Sequence, residues 1–337
     1  MRWGMRMQDR YQRTIEYVRI SVTDRCNLRC RYCMPEQGVE KMCHADILRF
    51  DEILRVIRAL SALGVRKVRL TGGEPLVRKG ILDLIREIRR IKGMEVISLT
   101  TNGVLLPEMA AGLRAAGLDS VNVSLDSLDE GTFFFLTRRP LLSRVEEGLR
   151  ALEEAGFQDT KINCVPLAGV NEADVLKLAE LARVKPLNVR YIELMPVGCA
   201  YEAGLRGMPM AEVRRKLQEA FGAFSPVRPG VNLRGPAEYV QPAGFAGKLG
   251  FIDAMGHKFC QTCNRVRLTA GGFLKLCLHA GTGLDVRELL RAGIDPSRID
   301  VHPDCTKCHP ERYWSHRAMG DQRGGMAAMI CLTEDAL

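Results

Sequence analysis

Short runs rich in β-branched residues alternate along this chain with segments whose apolar positions recur at helical spacing. Tyr17–Thr23 (YVRISVT) reads as a strand, and Phe50–Leu63 follows with Ile53, Leu54, Ile57, Leu60 and Leu63 on one helical face. Lys67–Thr71, Glu95–Thr101, Ser120–Leu125, Lys161–Leu167 and Asn188–Met195 read as further strands. Helices are predicted over Ile81–Ile91, Glu108–Ala116, Ser143–Ala155 and Ala173–Arg183, with Gly117 and Gly156 placed to end the second and third. About six β-then-α units therefore precede residue 196. Such a repeat predicts a parallel sheet with right-handed crossovers. Eight units close a barrel, so six predict an α/β fold of the partial (βα)6 TIM type, open on one side. Residues 196–247 are rich in Gly and Pro with little pattern, 251–280 are rich in cysteine, and the character changes again from about 285. These shifts predict a barrel over 1–225, a second region over 226–293 and an atypical tail over 294–337.

In barrels of this kind the chemistry sits at the C-terminal ends of the strands. Polar residues gather at five such ends: Thr23–Asp24, Thr71–Glu74, Thr100–Asn102, Ser124–Asp126 and Glu193–Met195. Arg19, Lys67, Arg69, Lys161 and Arg190 are charges set in otherwise apolar strands. A charge there seldom faces a dry core, so these should point into the barrel mouth; the alternative is pairing with Asp or Glu at a strand edge.

Charge and cysteine content narrow the picture. The 337 residues carry 49 Lys+Arg against 40 Asp+Glu, a net +9. Nucleic acid, an anionic membrane surface or a phosphorylated small molecule would each suit that balance, as would a merely solvated surface. No run of five basic residues and no basic–aromatic interleaving occurs, which sets nucleic acid aside. No stretch approaches the length of a membrane span. The basic, polar opening MRWGMRMQDRYQRTIEY lacks the apolar core of a secretion signal, so the expectation is a cytoplasmic protein. Its 12 cysteines should then be reduced, and clustered reduced cysteines point to metal.

Two clusters stand out. Cys26-x3-Cys30-x2-Cys33 directly follows the first strand. Three thiolates can hold a [4Fe–4S] cubane with one iron left open, whereas zinc would need a fourth ligand such as Cys43 or His44. Cys260-x2-Cys263-x13-Cys277 is the second, which zinc could also occupy with His257 or His279, or with Cys305-x2-Cys308 as a ribbon.

The first loop, with Tyr32 before its last cysteine, resembles the signature of the radical S-adenosylmethionine (SAM) superfamily, and Gly72-Gly73-Glu74-Pro75 resembles its GGEP turn. The likeness implies that SAM binds the open iron and is cleaved to a 5′-deoxyadenosyl radical. FCQTCNRVRLT at 259–269 resembles a block of the GTP 3′,8-cyclase family, which opens molybdenum cofactor synthesis. VRISVTDRCNLRCRYCMP, VRKVRLTGGEPLVR, SLTTNGVLL, VNVSLDSL, KINCVPLAGVNEAD and VRYIELMPVG agree with that family in order and spacing, so the resemblance runs from about Tyr17 to Gly293.

That resemblance implies two [4Fe–4S] clusters, on Cys26, Cys30 and Cys33 and on Cys260, Cys263 and Cys277, the second in a C-terminal cluster-binding extension of the barrel. It implies SAM contacts at Tyr32, Gly73, Ser124 and Met195, and GTP contacts at Arg19, Arg69, Thr100, Lys161, Arg265 and Arg267, with Lys67 and Arg190 as further candidates. The implied reaction takes the ribose 3′ hydrogen of GTP and joins that carbon to C8 of guanine. The implied partners are GTP, a flavodoxin- or ferredoxin-type electron donor, cyclic pyranopterin monophosphate synthase as the next enzyme, and a second copy in a homodimer. Bottom-up, a triphosphate wants several cations, with guanidinium for bidentate contact. The other readings are radical SAM chemistry on another nucleotide or a peptide, and a catalytically impaired metal-binding scaffold.

The tail departs from the pattern. The family ends in a Gly-Gly that reaches the active site, but here Gly324-Gly325 is followed by MAAMICLTEDAL. Residues from about 286 to 337, with CTKCHPERYWSHR and GGMAAMI, resemble instead the C-terminal end of the laccase-domain family (multicopper polyphenol oxidase-like proteins, or purine nucleoside phosphorylases). The metal ligands of that second family lie upstream of this end, so the tail should carry none of its activity. Cys305, Cys308 and His309 are read as free side chains rather than a further metal site.

Overall fold

The computed structural model describes residues 13–195, 198–200, 203–227, 235–256, 263–278, 283–293, 299–302 and 329–332. In chain order its elements are β1 (Tyr17–Ser21), α1 (Phe50–Ala62), β2 (Lys67–Thr71), α2 (Ile81–Arg89), β3 (Val96–Thr101), α3 (Leu106–Ala115), β4 (Ser120–Ser124), α4 (Glu130–Thr137), α5 (Leu142–Glu154), β5 (Thr160–Cys164), α6 (Asp174–Val184), β6 (Asn188–Ile192) and α7 (Met210–Phe221). Then come β7 (Phe224–Pro226), β8 (Glu238–Pro242), β9 (Lys248–Ile252), β10 (Arg265–Leu268), β11 (Phe273–Lys275), β12 (Gly283–Asp285), α8 (Val286–Arg291), β13 (Ile299–His302) and β14 (Met329–Leu332). The α/β class and the six expected βα units are present. Strands and helices begin and end within a few residues of the periodic runs.

The chain forms two compact units. One comprises Met1–Asp24, Lys41–Ile97 and Cys260–Leu337. Here β1 lies between β2 and β10, parallel to both, and β11 and β12 extend from β10 antiparallel. Alternate residues Val18, Ile20, Val68 and Leu70 are fully buried, with Ile53 and Ile57 of α1 and Ile85 of α2. Glu52 of α1 is buried too, where its carboxylate accepts from the Arg49 backbone at 2.7 Å and the Arg291 guanidinium of α8 at 3.0 Å. β13 and β14 pair antiparallel.

The other unit comprises Arg25–Glu40 and Ser98–Phe259. Within it Ser98–Thr101 of β3, then β4, β5, β6 and β9, pair parallel in that order, and β8 and β7 follow antiparallel. Val121, Val123, Ile162, Val189 and Leu249 form its core with Leu113, Val145 and Leu178 of the helices. Two additions go beyond the sequence expectation. The Gly- and Pro-rich stretch after 196 contains α7, β7 and β8, and β9 and β10 pair parallel with β6 and β1. No helix among the described residues is long and apolar enough to cross a membrane.

Candidate active site

The cysteine loop is built by backbone bonds to its own unit. The last turn of a helix leaves carbonyls without intrahelical partners. Those of α4 are taken up by the loop: Arg29 N–H donates to Thr137 O at 3.0 Å and Arg31 N–H to Leu136 O at 2.9 Å. Cys30 lies between these two anchors, and Cys33 N–H closes a turn on Cys30 O at 2.9 Å. Arg138, in the left-handed conformation at the helix end (φ 56), donates to Arg29 O at 2.7 Å. At the other end, Asn102 beyond β3 donates to Asn27 Oδ1 at 2.7 Å and toward Cys26 Sγ at 3.7 Å.

Tyr32 of the loop donates its hydroxyl to Asp126 Oδ2 at 2.5 Å, and Asp126 Oδ1 accepts from Val165 N–H at 2.8 Å. The Asp126 carboxyl is pushed up to about 6 by burial, against the pull of those two hydrogen bonds. Desolvation raises the Cys30 thiol well above its ordinary range, with Cys33, Asp126 and Cys26 adding to it. Cys33 is exposed at the surface, yet the groups crowded around it, with desolvation first and then Asp126, Cys26 and Cys199, push its thiol up to about 12. Two soft thiols that resist ionisation, Cys30 and Cys33, with Cys26 beside them, suit a group that supplies positive charge as it takes their protons' place. That is what an iron–sulfur cluster does. Gly198 seals the loop: a Cβ there would meet the carbonyl oxygens of Tyr32 and Cys33 at 3.0 Å.

The same unit carries a polar row across its strands. Thr100, Asn122, Lys161 and Asn188 are register partners in turn, and Asn163 pairs with Ser124 on one side and Arg190 on the other. Asn122, fully buried, donates to Thr100 Oγ1 at 3.4 Å. Arg190 holds Asn163 Oδ1 through Nε at 2.9 Å and Nη2 at 2.5 Å. Lys161 is buried and ion-paired with Asp159, so the strand-edge pairing foreseen for such charges is met here. Met195 follows β6, half-buried.

The first unit holds the GGEP turn and a field of cations. Gly73 N–H donates to Thr23 O at 2.9 Å, and a Cβ on Gly72 would lie 2.6 Å from that same oxygen, so only glycine fits. Glu74 is buried and accepts from Leu76 N–H at 3.0 Å. The register of β10, β1 and β2 sets Arg265, Tyr17 and Lys67 in one row and Arg267, Arg19 and Arg69 in the next. Residues two apart on a strand share a face. All six therefore lie on one face, and Lys275 of β11 stands opposite Arg267. The Arg69 and Lys67 cations lie 5.8 and 5.5 Å from the Tyr17 ring centroid. Burial alone would raise the Tyr17 hydroxyl's pKa. The charges of Arg69, Arg19, Lys67 and Arg265 together outweigh it and lower it. Arg267 is pulled down to about 10, first by desolvation and then by Arg19 and Arg265. Like charges held together at that cost fit a polyanion.

At the edge of this field Arg265 Nε donates to Cys263 Sγ at 3.4 Å. Cys263 and Cys277 are both half-buried in this unit. Cys260, His257, His279, Cys305, Cys308, His309, Gly324 and Gly325 lie outside the described residues, so the second cysteine triple is seen only in part. Among the described residues, no group of three or more His, Cys, Asp or Glu side chains is set to hold a single metal ion. A cubane, whose irons each take one thiolate, does not need one.

Sequence reasoning missed Tyr17 and the asparagines Asn122 and Asn163. Tyr17 was legible, being two residues before Arg19 and so on its face. Cys199 is a charge neighbour of Cys33. Cys164 of β5 is fully buried.

Two family models match this chain: Radical SAM superfamily over residues 20–182, and Molybdenum Cofactor Synthesis C over 187–302. The GTP 3′,8-cyclase of Pelotomaculum thermopropionicum is 45% identical over 327 residues, covering 95% of this chain and 100% of the relative. That of Moorella thermoacetica matches with the same identity and coverage. With 95% of the chain aligned, the likeness extends past residue 293 into the tail. Among solved structures, Streptococcus suis SuiB has the same fold, with a TM-score of 0.60 at 15% identity, covering 82% of this chain and 65% of that one.

Proposed function

The chain belongs to the GTP 3′,8-cyclase family of the radical SAM superfamily, and from that membership we propose the roles of its side chains. It is a radical SAM lyase of molybdenum cofactor synthesis that works with an iron–sulfur cluster and SAM, and GTP is its substrate. The observation that carries the substrate reading is the single-faced field of Arg19, Lys67, Arg69, Arg265 and Arg267, which supplies several cations, four of them guanidinium, for a triphosphate.

Cys26, Cys30 and Cys33 would hold one [4Fe–4S] cluster, and Cys260, Cys263 and Cys277 a second. A cluster held there would supply the electron for reductive cleavage of SAM, and so radical chemistry at the ribose 3′ carbon of GTP. The chain's own work is to bind, orient and exclude water. Tyr32, Gly73, Ser124 and Met195 are assigned to SAM, with Asp126 fixing Tyr32 through its hydroxyl. Arg19, Arg69, Arg265 and Arg267 are assigned to the phosphates, with Lys67 beside them. Thr100, Lys161 and Arg190 are assigned to the remainder of the nucleotide, Arg190 held rigid by Asn163. Boundaries near 225 and 293, a flavodoxin- or ferredoxin-type donor, a homodimer and a cytoplasmic site of action complete the reading.

Anaerobically purified chain is expected to contain about eight irons and about eight sulfides. About four irons with one zinc would contradict the second cluster. Incubation with GTP, SAM and dithionite should yield 5′-deoxyadenosine and the cyclised nucleotide; absence of both would overturn the reading.

A further inference from the structure

We infer that the exposed face of α4 is the docking surface for an acidic one-electron carrier protein that reduces the cysteine loop's cluster, an inference resting on the functional reading above. Phe133 and Leu136 of α4 are buried, but Phe134 and Phe135 are 53% and 41% exposed. Two adjacent exposed phenylalanines are unusual on a solvated helix, and exposed aromatics rimmed by arginine are what protein interfaces use.

The position matters as much as the composition. Arg31 Nε donates to Phe135 O at 2.7 Å, and its guanidinium lies 4.2 Å from the Phe135 ring centroid. Leu136 O and Thr137 O take the N–H groups of Arg31 and Arg29, the residues on either side of Cys30. A protein seated on Phe134 and Phe135 is thus one hydrogen-bonded layer from a cluster cysteine. Electron transfer falls off steeply with distance, so a donor gains by docking here.

Charge selects the carrier. Arg29, Arg31, Arg138 and Arg139 belong to this loop and helix end, against Glu36, 4.0 Å from Arg138, and Asp129 and Glu130 at the far end of α4. The guanidinium groups spend some donors on loop carbonyls but keep their charge, so the end of α4 beside Cys30 carries four arginines against Glu36, while its far end is acidic. An acidic carrier is therefore attracted and a basic one repelled. The carrier gives up one electron and is oxidised by one; a [4Fe–4S] cluster goes from the 2+ to the 1+ state, and no proton moves.

The test uses the cluster-loaded enzyme with reduced flavodoxin, an acidic flavoprotein, as the probe. Flavodoxin oxidation is followed by stopped flow, and its binding is measured separately. Phe134→Ser/Phe135→Ser and, independently, Arg139→Glu should each slow flavodoxin-driven reduction by roughly tenfold and weaken binding to match. Dithionite-driven 5′-deoxyadenosine formation should stay within about twofold of the unaltered chain, the ordinary range of a surface change. The unaltered chain's rate with flavodoxin should fall as salt rises. Unchanged flavodoxin rates in both variants would overturn the inference. So would conversion of a dimer to a monomer with flavodoxin reduction intact, because a second copy would then own this face. If the serine variant does not fold, Arg139→Glu alone decides. Dithionite giving no 5′-deoxyadenosine from the unaltered chain marks failure of the functional reading, and of this inference with it.

Discussion

Cys30→Ala is expected to abolish reductive cleavage of SAM, with 5′-deoxyadenosine falling by about a thousandfold or more, while the chain stays folded. Each thiolate of a three-cysteine loop holds a different iron, so losing one removes the cluster rather than weakening it. The fold survives because what anchors this segment is backbone: Arg29 and Arg31 N–H groups on the α4 carbonyls, and Cys33 N–H on Cys30 O. Alanine keeps all three bonds and takes less space. Iron should drop from about eight to about four per chain if the second triple is independent. Quantifying 5′-deoxyadenosine alongside iron and circular dichroism checks this. Sustained cleavage by a folded Cys30→Ala chain would remove the cysteine loop from the chemistry.

Arg267→Met should weaken GTP binding and at the same time raise the melting temperature of the nucleotide-free chain. A desolvated charge-assisted contact to phosphate is worth about 2–3 kcal/mol, so the loss should be roughly 30- to 160-fold in Kd. The stability effect follows from the depressed pKa, about 10. Below that pH the side chain is cationic in both folded and unfolded chain, so folding carries the full cost of desolvation and of crowding Arg19 and Arg265. The cost is relieved only as pH rises through the folded value. At pH 7 it is wholly present, and methionine removes it while filling the space. A gain of about 1–3 °C is expected. Isothermal titration with GTP and a thermal scan at pH 7 test both halves. An unchanged Kd, or a fall of several degrees, would contradict the polyanion reading of this face.

Much of this was legible from residue spacing. The parallel βα alternation is a local signal, and the runs from Tyr17 to Met195 carried it into the structure with small shifts at their ends. α4 was missed because EGTFFFLT places three phenylalanines in succession and so shows no helical period; its start signal, Asp129 capping Thr132 N–H, was present. α7 buries Met210, Val213 and Leu217 at helical spacing, but Gly- and Pro-rich sequence on both sides concealed it. In the site, Arg19 and Arg69 were found as charges in apolar strands. Their meeting with Arg265 and Arg267 came only through the family resemblance, since the register of β10 against β1 joins residues nearly 250 positions apart and no local pattern encodes it. Asp126 was noted only as a polar strand end; its grip on Tyr32 depends on where the loop folds back.

This chain is expected to turn a SAM-derived radical on the ribose of GTP. Incubating the anaerobically reconstituted chain with dithionite, SAM and GTP carrying deuterium at the ribose 3′ carbon tests it most directly, with mass spectrometry of the products. Deuterium in 5′-deoxyadenosine and a cyclised nucleotide formed in step with it are expected. Unlabelled 5′-deoxyadenosine with GTP recovered intact would contradict it.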